Sequence, residues 1–260
     1  MAGPEKEANL RRAAELVRHA AGAGAQLVAL PELFFWRGRP EEEAAAAEQI
    51  PGPLTEWAAA LARETGVHLV AGSILERAPE EPSRCYNTAV LISPAGELIA
   101  TYRKIHLFDV DAPGVRARES ATRRPGQTPV CVETALGRIG LAICYDLRFP
   151  ELFRRLADLD AEIVVLPSAF TEPTGRAHWH VLVQARAIEN QVYMVAPNKV
   201  GPTAHGFRDY GHSLIVDPWG EVLADGGQTP DAVVTAPLDG SRLVEVRRAL
   251  PSLAHRRLER

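Results

Sequence analysis

The 260-residue sequence lacks the features that mark membrane, secreted and disulfide-stapled proteins. It has only three cysteines, and their wide spacing fits neither a disulfide framework nor a zinc cluster. No run approaches the roughly 18 consecutive apolar residues of a membrane span. The first segment, MAGPEKEANLRR, has no apolar core of the kind found in signal peptides. We therefore expect a reduced, cytoplasmic protein with no membrane partner.

An excess of basic residues is also lacking. The chain has 29 Lys and Arg against 33 Asp and Glu, a formal net charge of −4, whereas nucleic-acid-binding domains concentrate positive charge. We therefore expect no nucleic-acid partner. The composition, 46% hydrophobic and 24% charged, is that of ordinary globular domains. No repeat or low-complexity linker marks a boundary, so we expect one domain over residues 1–260.

Helical and strand-like patterns alternate along the chain, which is typical of an α/β fold. Apolar residues favour helices in five segments, at residues 10–21, 54–64, 150–159, 177–190 and 242–250. Short apolar or alternating runs predict strands at residues 27–30, 68–74, 88–92, 98–102, 130–134, 138–144, 163–166, 192–196, 213–216, 221–223 and 232–236. The polar segment 109–128, punctuated by proline and glycine, is predicted to be a loop.

Three of the predicted strands each lead into a reactive side chain. Glu32 ends the run LVALPE, Lys104 ends ATYRK and Cys144 ends GLAIC. Residues just beyond strand ends collect in one crevice of an α/β sheet, so the three can converge. A cysteine thiolate is a nucleophile, an ammonium stabilises an oxyanion and a carboxylate transfers the proton. Together they would support acyl transfer through a thioester.

Each of these residues also has an ordinary structural interpretation. A cysteine in an apolar strand is commonly an inert packing residue, which is how we interpret Cys85 and Cys131. A glutamate after a proline is commonly a charge at a helix N-terminus, and a lysine is commonly a solvated surface group. The local sequence around all three residues decides between these interpretations.

That local sequence resembles the nitrilase superfamily of carbon–nitrogen hydrolases. The blocks that carry the resemblance are ALPELFF (29–35), YRKIHLFD (102–109), GLAICYDLRFPEL (140–152), LPSAFTEPTGRAHW (166–179), ARAIENQVYMVAPN (185–198) and YGHSLIVDPWGEVLA (210–224). They cover nearly the whole chain. The resemblance implies an α-β-β-α sandwich, a homodimer or higher homo-oligomer, and no metal or organic cofactor.

The resemblance also implies roles for individual residues. It makes Glu32 the general base, Lys104 the cation that stabilises the oxyanion and Cys144 the nucleophile. It makes Glu119 a second carboxylate beside the lysine, and it places the backbone N–H of Tyr145 in the oxyanion hole.

One departure from the family lies at the start of the sequence. Family members begin with a strand of about six residues, directly before the block that resembles GPEKEANL. This chain starts within that junction, so we expect the usual first strand to be missing from the sandwich.

The blocks CYDLRFPEL and TGRAHW resemble the branch that contains deaminated-glutathione amidase and ω-amidase. Enzymes of this branch hydrolyse a small amide whose far end carries a carboxylate. Arg148 is a candidate to bind that carboxylate, or it forms a structural ion pair with Asp146 or Glu151.

Further residues are candidates to line the substrate pocket. They are Phe170, Thr171 and His178. An alternative for His178 and Trp179 is that they cap or pack the helix they begin.

Three other functional hypotheses remain open on the sequence. The chain could be an N-carbamoyl-amino-acid hydrolase or a nitrilase, a non-catalytic binding member of the fold, or a redox sensor that uses Cys144. A metal site is not expected, because His106, His205 and His212 do not have metal-ligand spacing on one element.

Overall fold

The structure is a computed structural model that describes residues 3–112, 115–203 and 206–258. The helices in these ranges are α1 (Lys6–Gly22), α2 (Glu43–Ala46), α3 (Pro53–Thr65), α4 (Pro150–Asp158), α5 (Glu172–Asn190) and α6 (Gly240–Ala249). Short 3₁₀ helices cover Pro40–Glu42, Glu119–Ala121 and Cys144–Arg148. None of the helices in the described ranges has the length and apolar character needed to cross a bilayer.

The strands form two main sheets and two small hairpins. The strands are β1 (Leu27–Ala29), β2 (His68–Arg77), β3 (Cys85–Ile92), β4 (Leu98–Arg103), β5 (Asp109–Ala112), β6 (Val115–Arg118), β7 (Arg123–Arg124), β8 (Val130–Thr134), β9 (Gly137–Leu141), β10 (Ile163–Val165), β11 (Tyr193–Ala196), β12 (Val200–Pro202), β13 (Arg208–Tyr210), β14 (Leu214–Val216) and β15 (Val222–Asp225). The first sheet has the order β1-β2-β3-β4, with β7 paired to β3. The second sheet has the order β15-β14-β11-β10-β9-β8. Strand pairs β5–β6 and β12–β13 form the hairpins.

The two sheets stack face to face between two layers of helices. Alternate residues of β3 point to opposite sides: Leu91 packs with the second sheet, whereas Val90 packs with α1 and α3. On the far side of the second sheet, Leu156 of α4 and Val183 of α5 join the same core. The α-β-β-α sandwich predicted from the sequence is therefore confirmed.

The ends of α3 show how local sequence fixes an element. Pro53 occupies the first helical position, where its missing N–H removes no hydrogen bond. Thr55 accepts a hydrogen bond from the Gly52 N–H at 2.7 Å. Gly66 ends the helix in the left-handed conformation with φ +68°, which a residue without Cβ adopts at little cost.

Two predicted element bounds need correction. Helix α5 begins at Glu172, five residues before the predicted start at 177, because Pro173 suits the first helical turn and does not break the helix. The predicted loop at 109–128 contains the β5–β6 hairpin. That hairpin is partly exposed and largely polar, so it has no apolar run for a sequence pattern to detect.

The predicted strand at 232–236 is wrong. The segment has no regular secondary structure, because a strand requires a ladder of hydrogen bonds and this segment pairs with none of the strands in the described chain. Instead it lines a cavity of about 820 Å³, together with α1 and β1. Strand β1 is an edge strand, and no strand precedes α1 in the ranges that the structure describes.

Candidate active site

Glu32 lies in the turn that follows β1, with its side chain buried. The next residue, Leu33, has a φ of +47°, which is uncommon for a residue with a side chain. Its N–H donates to Ser73 Oγ at 3.1 Å, and its carbonyl accepts from Lys199 Nζ at 2.7 Å. Strained backbone persists only where its surroundings over-determine it, so these contacts fix the position of Glu32.

Lys104 lies directly after β4 and joins two carboxylates. Its Nζ donates to Glu32 Oε1 at 3.0 Å and to Glu119 Oε2 at 2.9 Å. Its side chain is 2% exposed, and those of Glu32 and Glu119 are 6% and 8% exposed. The structure therefore brings together three of the residues predicted from sequence, 72 and 15 positions apart, in one buried ionic cluster.

Burial and charge act in opposite directions on this cluster. Burial is the largest single influence and by itself would raise the pKa of the two carboxyls, but the charges of Lys104 and Arg123 together with hydrogen bonds outweigh it and lower the pKa of both, that of Glu119 to about 2. Burial by itself would lower the pKa of Lys104, but Glu119 and Glu32 raise it above its ordinary value. The cluster therefore holds one ammonium and two carboxylates at neutral pH.

Cys144 occupies the sharp turn between β9 and α4. Its φ is +47°, and its N–H donates to the Pro167 carbonyl at 3.0 Å. Its side chain interacts with Glu32, Lys104 and the Ala169 backbone amide. A strained turn of this kind presents a side chain at one defined place.

The thiol of Cys144 is protonated in this arrangement. Burial raises its pKa well above the ordinary value, and the Glu32 carboxylate raises it further, whereas Lys104 and the Ala169 amide lower it. The Glu32 carboxylate is the neighbouring base that can accept the proton as Cys144 attacks.

Three further side chains that the sequence interpretation missed support the cluster. Buried Asn87, in the middle of β3, donates from Nδ2 to Glu32 Oε1 at 2.8 Å. Arg123 contacts Glu119 and donates from Nε to Glu43 Oε2 at 2.9 Å. The polar amide of Asn87 within the apolar run CYNTAVLI could have indicated a functional residue. The sequence around Arg123 and Glu43 contains no such indication, because charged residues in polar segments are usually on the surface.

Asp146 is fully buried, and both of its carboxylate oxygens accept hydrogen bonds. Its Oδ2 accepts from Tyr102 Oη at 2.7 Å and from the Ile143 N–H at 2.9 Å. Its Oδ1 accepts from the His106 N–H at 3.0 Å and lies 2.8 Å from His106 Nδ1. These bonds brace the turn that carries Cys144, and they leave Asp146 unavailable to Arg148.

Arg148 forms no ion pair within the described ranges, so the alternative of a bond to Asp146 or Glu151 is wrong. Its guanidinium lies over Phe170, 5.0 Å from the ring centroid, and over Tyr145 at 5.8 Å. Burial lowers its pKa. A half-buried guanidinium without a carboxylate partner is suited to bind an anionic ligand.

The predicted pocket residues His178 and Thr171, and Trp179 beside His178 in sequence, lie within or directly before the first turns of α5 and differ in availability. The exposed His178 has Nδ1 3.2 Å from Arg148 Nη1, in the second turn of α5. Buried Thr171 hydrogen-bonds Thr174 at 2.8 Å and precedes that helix. Trp179 packs in the core, and its Nε1 donates to the His212 carbonyl at 2.7 Å.

The predicted oxyanion donor, Tyr145, and the other two cysteines also have defined places. Tyr145 follows Cys144 in the first turn of a 3₁₀ helix, where N–H groups have no partner inside the helix. Cys85 is fully buried, and burial raises its pKa to about 12. Burial also raises the pKa of Cys131. Both thiols are therefore protonated and, unlike Cys144, neither is hydrogen-bonded to a carboxylate of the described residues that could accept its proton.

Comparison with known proteins gives consistent matches over the chain. The family model for carbon–nitrogen hydrolases matches residues 2–248. A deaminated glutathione amidase from Synechocystis is 42% identical over 256 residues, which are 97% of this chain and 94% of the relative. An omega-amidase NIT2 from Xenopus tropicalis is 41% identical over 258 residues, 99% and 92% of the two chains.

A solved structure adds chemical information. The E41Q mutant of an amidase from Nesterenkonia superposes with a TM-score of 0.80 and 30% identity, covering 96% of this chain and 95% of that one. Its active-site cysteine carries the product of Michael addition of acrylamide.

Proposed function

The chain belongs to the carbon–nitrogen hydrolase family and is an amidase, and from this premise we propose that Cys144 attacks the carboxamide carbon of a small amide that carries a carboxylate. The observation that carries the proposal is the buried cluster of Glu32, Lys104 and Glu119 beside the Cys144 thiol, with the Arg148 guanidinium, which has no carboxylate partner among the described residues, at its margin. One side of this site performs acyl transfer and the other binds an anion.

In the first half of the reaction, Cys144 Sγ forms a bond to the carboxamide carbon while Glu32 accepts the thiol proton. Lys104 and the Tyr145 N–H stabilise the oxyanion of the tetrahedral intermediate. The C–N bond then breaks, Glu32 donates the proton to the leaving nitrogen, and ammonia departs. The acyl group remains on Cys144 as a thioester.

In the second half, Glu32 accepts a proton from water as the water oxygen attacks the thioester carbon. The C–S bond breaks, the sulfur recovers the proton, and the carboxylic acid leaves. Glu119 contacts Lys104 and not the thiol, so we assign it a positioning role: its carboxylate, held by Arg123 and the Phe108 N–H, keeps the ammonium in place.

Arg148 supports the choice of a carboxylate-bearing substrate. A guanidinium binds a carboxylate through two parallel hydrogen bonds, and here the group lies over the rings of Phe170 and Tyr145. We therefore propose deaminated glutathione or 2-oxoglutaramate as the substrate, since the relatives are amidases of these two kinds.

The test is ammonia release from both amides, measured side by side with the wild type, Cys144→Ala and Cys85→Ala. We expect turnover of one amide over the other, its loss in Cys144→Ala, and near-normal turnover in Cys85→Ala. Ammonia release retained in Cys144→Ala would refute the mechanism. Release of CO₂ with ammonia from an N-carbamoyl amino acid, or turnover of a nitrile only, would replace the substrate proposal.

We also propose that the enzyme is a cytoplasmic homodimer. A nucleophilic thiol needs a reducing compartment. Val181 and Ile188, seven residues apart on α5, are 67% and 48% exposed, and Trp219, which precedes the Gly220 that lies against Ile188, is 54% exposed. We call these three residues the apolar patch, and a second copy of the chain would cover it.

A further inference from the structure

A cluster of two histidines and one aspartate lies outside the groups that carry the amidase chemistry. His180 is on α5, His212 lies between β13 and β14, and Asp225 ends β15. One candidate ligand atom from each lies within 4.8 Å of the other two. The three residues lie on separate elements of the chain, so they form no short spacing motif that could be detected in the sequence.

One oxygen of Asp225 faces both imidazoles. Its Oδ2 lies 3.2 Å from His180 Nε2 and 3.0 Å from His212 Nδ1. Its Oδ1 accepts the backbone N–H of Gly227 at 2.8 Å and also lies 3.0 Å from His212 Nδ1. The carboxylate is therefore anchored by one oxygen and free to present the other between two nitrogen donors.

The two nitrogens and the oxygen match the ligand preferences of zinc. Zn–N and Zn–O bonds of about 2.0–2.1 Å in a tetrahedron place donor atoms roughly 3.3–3.4 Å apart. The observed separations from Oδ2, 3.2 and 3.0 Å, are close to this value, and the two nitrogens lie within 4.8 Å of each other. The side chains of His180, His212 and Asp225 are 32%, 23% and 33% exposed, so water can reach a fourth position.

Contacts outside the cluster hold His212 in a defined orientation. Its φ is +56°, which costs energy in a residue with a side chain. Its N–H donates to the Gly227 carbonyl at 2.5 Å, and its carbonyl accepts from Trp179 Nε1. The Tyr210 ring stacks on its imidazole, with centroids 4.6 Å apart. The fold therefore positions this ligand before any ion binds.

From this geometry we propose that His180, His212 and Asp225 form a Zn²⁺ site with a water in the fourth position. Both imidazoles bind as neutral ligands, with their protons on the other ring nitrogens. The ion connects α5 to the loop before β14 and to the end of β15. It takes no part in the amidase reaction.

The test measures zinc uptake by chelator-treated Cys144→Ala protein, so that the reactive thiol cannot bind the metal. Isothermal titration with ZnCl₂ should give saturable binding of one Zn²⁺ per chain. At free zinc a hundredfold above its Kd, the Tm should rise by about 5 °C.

Three further substitutions, each added to Cys144→Ala, should abolish this uptake. Asp225→Asn keeps the side-chain shape, His180→Ala removes one imidazole, and His212→Asn keeps a residue that tolerates positive φ. His19→Ala, which removes an exposed histidine from α1, should bind zinc like the Cys144→Ala protein.

The outcomes separate a metal site from a hydrogen-bonded cluster. Absence of zinc uptake by a folded protein would overturn the proposal and leave His–Asp–His hydrogen bonds only. Uptake that survives both Asp225→Asn and His180→Ala would also overturn it. Ammonia release is measured on Asp225→Asn protein that retains Cys144 and contains no zinc. It should be normal, because the cluster does not contact the reacting groups.

Discussion

Among single residues, Lys199 is notable because its buried amine hydrogen-bonds a backbone carbonyl. It is 7% exposed, and its Nζ donates to the carbonyl of Leu33, the residue after Glu32. Burial, followed by the charge of the nearby Arg37, lowers its pKa to about 7 against the opposing charges of Asp209 and Glu32. The protonation of this amine is therefore linked to folding at the turn that carries Glu32.

We predict that Lys199→Met removes a pH dependence of stability. The ordinary pKa of 10.5 applies to the unfolded chain and the value of about 7 to the folded one. Between these values the unfolded state binds more protons, so the free energy of unfolding rises with pH. From pH 7 to 8 the wild type should gain about 1 kcal/mol more than Lys199→Met.

Urea unfolding at the two pH values measures this difference. Lys6→Met, which removes an amine from the partly exposed N-terminal end of α1, should follow the wild type. The same change with pH in the wild type and Lys199→Met would show that the Lys199 amine keeps its proton on folding.

At the scale of elements, an irregularity in β2 makes room for the turn that carries Glu32. The pairing of β2 with β3 shifts register between Ala71 and Ile74, and Gly72 there has a φ of +26°. A Cβ on Gly72 would lie 2.1 Å from the Pro31 carbonyl oxygen. The sheet therefore depends on a glycine to let the catalytic turn approach.

We predict that Gly72→Ala lowers both stability and activity. The clash involves backbone and cannot be relieved by a side-chain rotation, so the free energy of unfolding should fall by about 2–3 kcal/mol. Ammonia release should fall as well, because the Pro31–Glu32 segment must move. Gly22→Ala at the end of α1, where a Cβ would meet nothing within 4 Å, is the matched control and should leave both quantities near wild type. Unchanged urea unfolding of Gly72→Ala would contradict this account of the bulge.

At the scale of the whole molecule, the sandwich covers one outer face of α5 incompletely. Helix α5 packs inward through Trp179 and Val183, and the apolar patch points outward. A patch of this kind marks a protein–protein contact more often than bare surface. The proposed homodimer would bury it.

We predict that the wild type is a dimer by size-exclusion chromatography with light scattering, and that Val181→Glu makes it a monomer. A buried, unpaired carboxylate at the centre of the contact has a desolvation free energy larger than the free energy gained by burying the patch. Val244→Glu, which adds the same charge at a 66% exposed position on α6, should remain dimeric. A monomeric wild type, or a dimeric Val181→Glu, would place the contact elsewhere or exclude it.

The sequence by itself determined the features that depend on near neighbours along the chain. Helix and strand periodicity identified most elements of the sandwich, because burial on one face repeats every 3.6 or every 2 residues. Motifs at three strand ends identified Glu32, Lys104 and Cys144, because a strand end and its flanking turn are encoded together.

Tertiary structure decided the features that depend on residues far apart in sequence. Asn87 and Arg123 reach the cluster through sheet pairing, and His180 meets Asp225 across 45 positions. Segment 232–236 has a strand-like sequence, yet it forms no strand, because a ladder requires a partner and local pattern carries no information about one. Which groups meet, and which stay unpaired, is fixed only when the sheets stack.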